Sequence, residues 1–515
     1  MSVILNKEKI QTGDVICQKY NRTTVECDVI VPDVKPDILK ILEVDGYISV
    51  SEKIIRQGKV FIQGTVNMTV LYAPDGDVIS RVKSLSTTQD FSQSIDAGGT
   101  DGEAALAVEI EPEGFNYTLI NSRKVNLRCT AGISIKLTRM NELEIPTDIS
   151  GENICVKRTP FRLCSTAVNS ENRVVICEQL ELPSGKPTIG EILKTTVFPQ
   201  SLDFSFVEDK AVVNGQVRIC NLYISADDGS FQFTEHTVPF SETLEVNGAE
   251  EDMEGEIEYS VSDMYCEMRD DSDGEARIIG IDLGLCAVIR GFKIKELEML
   301  SDAYSLDGNC TIETEEHNIE QLIDNTTAQI THKTSIAVPE FFPEIKQICD
   351  ISTTASVDRI AVENGEITVF GSLKNNILYV SNDEEVPLGS FSGASEFTHT
   401  FSVPGSTGNT ICDAKIFTEH ISYTLNGGGS IDLRAVLGLS LRSYKNEIIT
   451  PITSIDIIEE TDEKAKPYIT IYFAQNGDTL WNIAKRYKTT VDALKECNGL
   501  TDDKLSIGQQ IRICR

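Results

Sequence analysis

Positive charge is scarce in this chain. Against 80 Asp and Glu stand only 46 Lys and Arg, a formal net charge of −34 over 515 residues. Binding to nucleic acid needs a basic face for the phosphates, so that class is excluded. Long apolar runs are missing too: no stretch approaches the roughly 20 apolar residues of a membrane span. The opening Met1-Ser2-Val3-Ile4-Leu5-Asn6-Lys7 lacks the apolar core of a signal peptide. Histidine is rare, and the five present (236, 317, 332, 399 and 420) show no metal-ligand spacing. No G-x-S-x-G, H-E-x-x-H or phosphate-loop string occurs. Carboxylates are so abundant that acidic pairs carry no information. The 14 cysteines include no C-x-x-C pair, which suits buried thiols in a reducing cytosol better than cross-links or zinc. The expectation is a non-enzymatic protein with no catalytic residue, no cofactor and no metal site.

What is present is a pattern that occurs three times. From Pro36, Pro187 and Pro343 the same offsets reach Ile38, Ile41, Gly64 and Tyr72, then Ile189, Ile192, Gly215 and Tyr223, then Ile345, Ile348, Gly371 and Tyr379. Each leading proline has another four residues earlier: Pro32, Pro183 and Pro339. A proline suits the first turn of a helix, and apolar residues three apart share a helix face, so a short helix is expected after each one. Around the glycine the apolar period changes to two, as in Val60, Ile62, Gly64, Val66, Met68, Val70 and Tyr72, which is strand alternation. A glycine there marks a bulge or a close backbone approach. Turn residues follow (Pro74-Asp75-Gly76, Asp227-Asp228-Gly229, Asn382-Asp383), and then a return strand carries Phe91 and Ile95, Phe240 and Leu244, or Phe397 and Phe401. The three units share no histidine or cysteine position, which argues against a duplicated catalytic site.

The expected organisation is multidomain and mostly β: tandem strand-rich units over 1–148, 149–304 and 305–459, a charged linker over 460–467, and a small module over 468–515. Strands are expected at Thr24–Ile30 and Val174–Cys177 ahead of the prolines, at Asn116–Leu119 and Val125–Cys129 after the first hairpin, and on both sides of Asn426–Gly429. The acidic Asp270–Glu275 loop lacks the later ligands of an EF-hand and reads as a solvated turn. The last module holds seven Lys/Arg and five Asp/Glu, net +2, so the body carries −36. Solubility alone accounts for the acidic body, and the alternative is that the two ends of the chain favour partners of different sign.

In that module Ile469, Ile471 and Phe473 alternate as a strand, and Leu480, Ile483, Ala484 and Tyr487 form one helical face behind a Thr479 or Asp478 cap. Thr490 caps a second helix that stops at Asn498-Gly499, and Ile511 and Ile513 alternate in a closing strand. The order is β-α-α-β. Gly477-Asp478-Thr479-Leu480-Trp481, Ile483-Ala484, Tyr487, Val491, Leu494, Asn498-Gly499-Leu500, Leu505, Gly508-Gln509 and Ile511 closely resemble a LysM module. That resemblance implies a shallow groove for N-acetylglucosamine-containing glycans, with Gly477, Asp478, Thr479 and Leu480 facing Asn498, Gly499, Leu500, Ser506 and Ile507. The chain departs from the family at Cys514, where proline is common. Trp481 lies off the apolar stripe, so it is expected at least partly at the surface, either as a rim residue covering the small core or as a contact for a protein partner.

Three acidic units with the proline, glycine and tyrosine frame ahead of a LysM resemble the SPOCS-domain proteins of spore-forming Firmicutes. This resemblance implies a spore-coat morphogenetic scaffold in the mother-cell cytoplasm. It would assemble at the forespore surface with the coat's basement-layer ATPase and other coat proteins, through the LysM. The alternative is a LysM that binds peptidoglycan and anchors the acidic units to cell wall or cortex. Self-association of the units is left open.

Overall fold

The same six strands are built three times. The computed structural model describes residues 4–76, 82–98, 104–151, 153–383, 386, 388–427, 429–459 and 469–514. The first unit runs through β1 (Ile4–Ile30), β2 (Ile38–Arg56), β3 (Lys59–Pro74), β4 (Lys83–Asp96), β5 (Ala104–Asn121) and β6 (Lys124–Ser150). The second follows with β7 (Ile154–Glu181), β8 (Ile189–Val207), β9 (Lys210–Ser225), β10 (Phe231–Glu245), β11 (Glu254–Asp270) and β12 (Ala276–Ser305). After β13 (Gly308–Thr314) comes the third, with β14 (His317–Ala337), β15 (Ile345–Glu363), β16 (Glu366–Ser381), β17 (Leu388–Ser402), β18 (Ile411–Asn426) and β19 (Ser430–Ile449). β20 (Ile452–Glu459) then pairs back onto β13. The linker expected at 460–467 lies outside the described residues.

Within a unit, the second, third and fourth strands make one antiparallel sheet, and the first, sixth and fifth make the other. The second and third units join their latter sheets through a single pair, Gln321 opposite Leu163. Inward-facing side chains of the two sheets fill each unit's interior, such as Val25, Val66, Val70, Leu127 and Cys129 in the first. This is the mostly β, multidomain architecture that the repeated period-two runs imply.

The short helix after each leading proline does not form. Ile38 faces Pro74 and Ile41 faces Tyr72, so the chain gains one residue on β2 relative to β3. Such a β-bulge returns Ile41 to the face of Ile38, and both are buried. The same shift recurs at Ile189 and Ile192 on β8 and at Ile345 and Ile348 on β15. A bulge and a helix thus place residues three apart on one face equally well.

The rest of the frame has a direct physical reading. The Tyr72, Tyr223 and Tyr379 hydroxyls donate to the Pro36, Pro187 and Pro343 carbonyls, each at 3.1 Å. All three rings are fully buried. Gly64, Gly215 and Gly371 sit opposite Phe91, Phe240 and Phe397. A Cβ at Gly371 would lie 2.3 Å from the Phe397 ring and 2.4 Å from the Ser356 carbonyl, so the ring occupies the place of the missing side chain.

The units share cores with one another. Leu71, Leu222 and Leu378, one from the same position of each unit, meet in a cluster with Leu193 and Cys349. A second shared cluster gathers Ile10, Ile145, Phe161, Leu163, Met299, Ile319 and Ile449. Equivalent residues meeting in this way place the units around a pseudo-threefold axis. β6 and β12 run to Ser150 and Ser305, just past the boundaries expected at 148 and 304.

The last module is the expected β-α-α-β: β21 (Ile469–Phe473), α1 (Leu480–Tyr487), α2 (Val491–Asn498) and β22 (Gln510–Cys514). Thr479 and Thr490 accept hydrogen bonds from the backbone N–H of Asn482 and Ala493, and Gly499 closes α2 in the left-handed region at φ 64°. The reading of all cysteines as thiols is corrected here. Cys497 at the end of α2 and Cys514 in β22, 17 residues apart, form a disulfide, while the other twelve are free. Spacing alone hid the pair, because the β-α-α-β topology brings the last strand beside the last helical turn.

Candidate functional site: the LysM loops and their mounting

Two of the expected groove segments are tied together by backbone. The Ala474 N–H donates to the Gln509 carbonyl at 2.9 Å and the Gly508 N–H to the Ala474 carbonyl at 2.7 Å. The Ser506–Gln509 turn thus lies against the start of the Gln475–Thr479 loop. Asp478 shapes that loop, accepting from the Tyr472 hydroxyl at 2.7 Å and the Gln475 N–H at 2.8 Å. These bonds, the backbone one foremost, hold its carboxyl below the ordinary range. Gly477 takes a positive φ of 90° in the turn. Thr479 is spent as the helix cap, and Leu480 is in the core at 1 % exposure.

Asn498 serves structure. Its side chain donates to the Leu494 and Arg512 carbonyls at 2.8 and 2.7 Å and accepts from the Arg512 N–H at 2.6 Å. It therefore stitches the end of α2 to β22. Leu500 is half-buried against the module core. Of the residues expected to line the groove, Gly477, Thr479, Gly499, Ser506 and Ile507 are exposed, Ile507 at 75 %. That exposed side is polar apart from Ile507 and can offer hydrogen bonds and one apolar contact.

Trp481 is partly at the surface, as expected, and covers the module core as a rim residue would, but its contact is with the same chain. It is half-buried against the second unit, with its Nε1 donating to Asp302 Oδ2 at 2.7 Å and its ring edge-on to Tyr304 at 4.9 Å. Lys485 donates to Asp302 Oδ1 at 2.5 Å, and the Tyr304 hydroxyl donates to the Thr489 carbonyl at 2.6 Å. Burial works to raise the Asp302 carboxyl, but the bonds from Lys485 and Trp481 outweigh it and hold it low. Tyr304, at 3 % exposure, enters the core of the module itself. Sequence reading missed Asp302 and Tyr304. They stand at the end of β12 in a run, Leu300-Ser301-Asp302-Ala303-Tyr304, that no motif marks.

Among the described residues no group of three or more His, Cys, Asp and Glu could hold a metal, and no helix is long and apolar enough to cross a membrane. The Asp270–Glu275 loop is a turn in which Asp271 Oδ1 accepts from the N–H groups of Asp273 and Glu275.

The three-unit β body and its capped β-α-α-β module match domains of the binding and scaffold class. The chain belongs to the proteins that combine SPOCS and LysM domains. It matches the SipL, SPOCS domain over 37–120, 188–269 and 344–426, and the LysM domain over 473–513. Each SPOCS span opens one residue after a leading proline. Among curated proteins, the LysM part is 57 % identical over 37 residues to a probable endopeptidase p60 of Listeria welshimeri, 7 % of each chain. It is 43 % identical over 42 residues to the probable peptidoglycan endopeptidase LytE of Bacillus subtilis, 8 % of this chain and 13 % of that one. An uncharacterized Bacillus subtilis protein, YkzQ, is 42 % identical over 43 residues, 57 % of its length. These likenesses are confined to the LysM. No solved structure matches. The LysM match supports glycan binding, and the SPOCS match supports a sporulation-related role.

Proposed function

We propose that this protein is a non-enzymatic scaffold of spore-coat assembly, built in the mother-cell cytoplasm and joined through its LysM to the coat's basement-layer ATPase. The observation that carries the reading is the mounting of the module. Asp302 and Tyr304 grip one side of it, while Gly477, Thr479, Gly499, Ser506 and Ile507 stay exposed. A LysM fixed in this way acts as an attachment head on an acidic body rather than as a tethered domain. The protein contact is assigned to the open loops and not to Trp481, which is already engaged.

A second reading, a peptidoglycan anchor, is favoured by the same open loops and by the likeness to the LysM of probable wall endopeptidases. One variant separates the two. Ile507→Asp alters an exposed loop side chain with no core contact to lose. Under the scaffold reading, recovery of the ATPase with the full chain from sporulating cells is abolished. Undiminished ATPase recovery, with loss of binding to chitin oligomers, overturns it in favour of the glycan reading.

A further inference from the structure

The apolar contacts around the pseudo-threefold axis are nearly the same in every unit, but the charges are not. A second bulge on β2, β8 and β15 falls at Leu42, Leu193 and Cys349, and directly after it stand Glu43, Lys194 and Asp350, one per unit at equivalent positions. Lys194 Nζ lies 3.1 Å from Glu43 Oε2 and 2.6 Å from Asp45 Oδ2, with only 10 % of the lysine side chain exposed. Burial opposes the lysine's charge, and these carboxylates more than offset it. Asp350 is on the same side of the body: burial raises its carboxyl, and Lys194 and then Arg218 work to lower it. Lys194 is thus ion-paired with two acids of the first unit, and the Asp350 carboxyl of the third, one of whose oxygens is buried without a hydrogen-bond partner, lies within its electrostatic reach.

The second layer of sheets repeats the arrangement with the cation moved. Glu109 on β5, Glu258 on β11 and Lys415 on β18 are again equivalent, opposite Ser134, Val288 and Ser440 at matching places on the central strands. Lys415 Nζ lies 3.9 Å from Glu109 and 2.5 Å from Glu258. Arg290 lies 3.3 Å from Glu109 and 3.1 Å from Glu258. The code is therefore acid and acid in the first unit, base and acid in the second, acid and base in the third.

We propose that these two levels form an ionic key that admits one copy of each unit to the axis and rejects a second copy of the same one. Leu71, Leu222 and Leu378 supply attraction without discrimination, since any three units could present them. Discrimination comes from the charges. Three first units would set three glutamates together at both levels, and three second units would set three lysines together at one. Like charges in a half-buried site cost far more than in water. The partner that each unit's axial surface fits is thus the other two units of its own chain, so closure is intramolecular even where many copies are crowded together.

The test uses the full chain and three variants. Lys194→Glu leaves one level with acids only. It should lower the melting temperature by roughly 5 °C or more and shift part of the protein from monomer to oligomers by light scattering. Glu43→Lys with Lys194→Glu permutes the key without emptying it and should restore the monomer and most of the melting temperature. Glu258→Lys with Lys415→Glu should be tolerated in the same way at the other level. If Lys194→Glu melts unchanged as a monomer, the key does not exist. If both permuted variants are as defective as Lys194→Glu, the residues fill space rather than read charge, and the proposal is equally overturned.

Discussion

Asp302→Ala should free the LysM from the body, and the single tryptophan of the chain reports it directly. Asp302 accepts two bonds across the interface, from Trp481 at 2.7 Å and from Lys485 at 2.5 Å, and its side chain is 23 % exposed. Hydrogen bonds to a charged group contribute about 1.5–3 kcal/mol each when buried. Discounted for the partial exposure of Lys485 and for non-additivity, the loss is about 3 kcal/mol. At 1.4 kcal/mol per tenfold, that lowers the ratio of docked to undocked module by roughly a hundredfold. The Tyr304 bond to Thr489 and the contact of its ring with Trp481 remain. The assay is acrylamide quenching of Trp481 across a urea series. In the variant, access to the ring should appear at clearly lower urea, before the body unfolds, with a red shift in emission. The same carboxylate fixes the pH dependence. Its pKa is depressed in the folded state, so its stabilisation is complete above the unfolded value of about 3.9 and is lost only as pH falls through the lower folded one. Docking should therefore be flat from neutral pH to about 5 and weaken below about 4. An unmoved quenching transition in Asp302→Ala, with the module still folded by circular dichroism, refutes the mounting.

Gly215→Val should destabilise the body by at least about 1–3 kcal/mol, because its Cβ would fall 2.4 Å from the Phe240 ring and 2.8 Å from the Gln200 carbonyl. Thermal unfolding measures it, and Gly64→Val and Gly371→Val should behave alike. Tyr223→Phe removes the bond to the part-buried Pro187 carbonyl, at a cost of about 1 kcal/mol in chemical denaturation. Asn498→Ala breaks two bonds between α2 and β22 and one within α2, and amide exchange in β22 should rise well before exchange in β6 or β12.

What the sequence made legible was whatever one residue type does in only one way. A glycine inside a period-two run marks a strand position where something comes close, and Gly371, crowded by the Phe397 ring and the Ser356 carbonyl, is that case. The tyrosine 36 residues after a proline is one hydrogen bond seen three times. The LysM caps were legible because Thr479 and Thr490 stand where an N-terminal N–H needs an acceptor. The helix after the proline failed for the opposite reason. Three-residue spacing is shared by a helix turn and a bulged strand, and only the partner strand decides between them. Asp302, Tyr304 and the Cys497–Cys514 pair were out of reach, since each depends on which distant segments the fold brings together.

The charges on the axis lie between these cases. Once the repeats are aligned, Glu43, Lys194 and Asp350 fall in one column and Glu109, Glu258 and Lys415 in another. Columns that carry buried leucine in all three units imply nothing beyond a shared core. A column that changes sign between units is different, because a repeat that merely stood beside its neighbours on solvated surface would have no use for opposite charges at one position. Such a column becomes intelligible if its members meet, and burial is what makes the meeting matter: only 10 % of the Lys194 side chain is exposed, and its ion-pair partners Glu43 and Asp45 both belong to the first unit. The sign change is thus a mark, written in sequence, that the three units close on one another. Trp481 follows the same logic at the edge of the body. Its value as a contact was legible from residue type, but the partner is Asp302 of the same chain, so the surface left for other molecules is the loop side that the mounting does not touch.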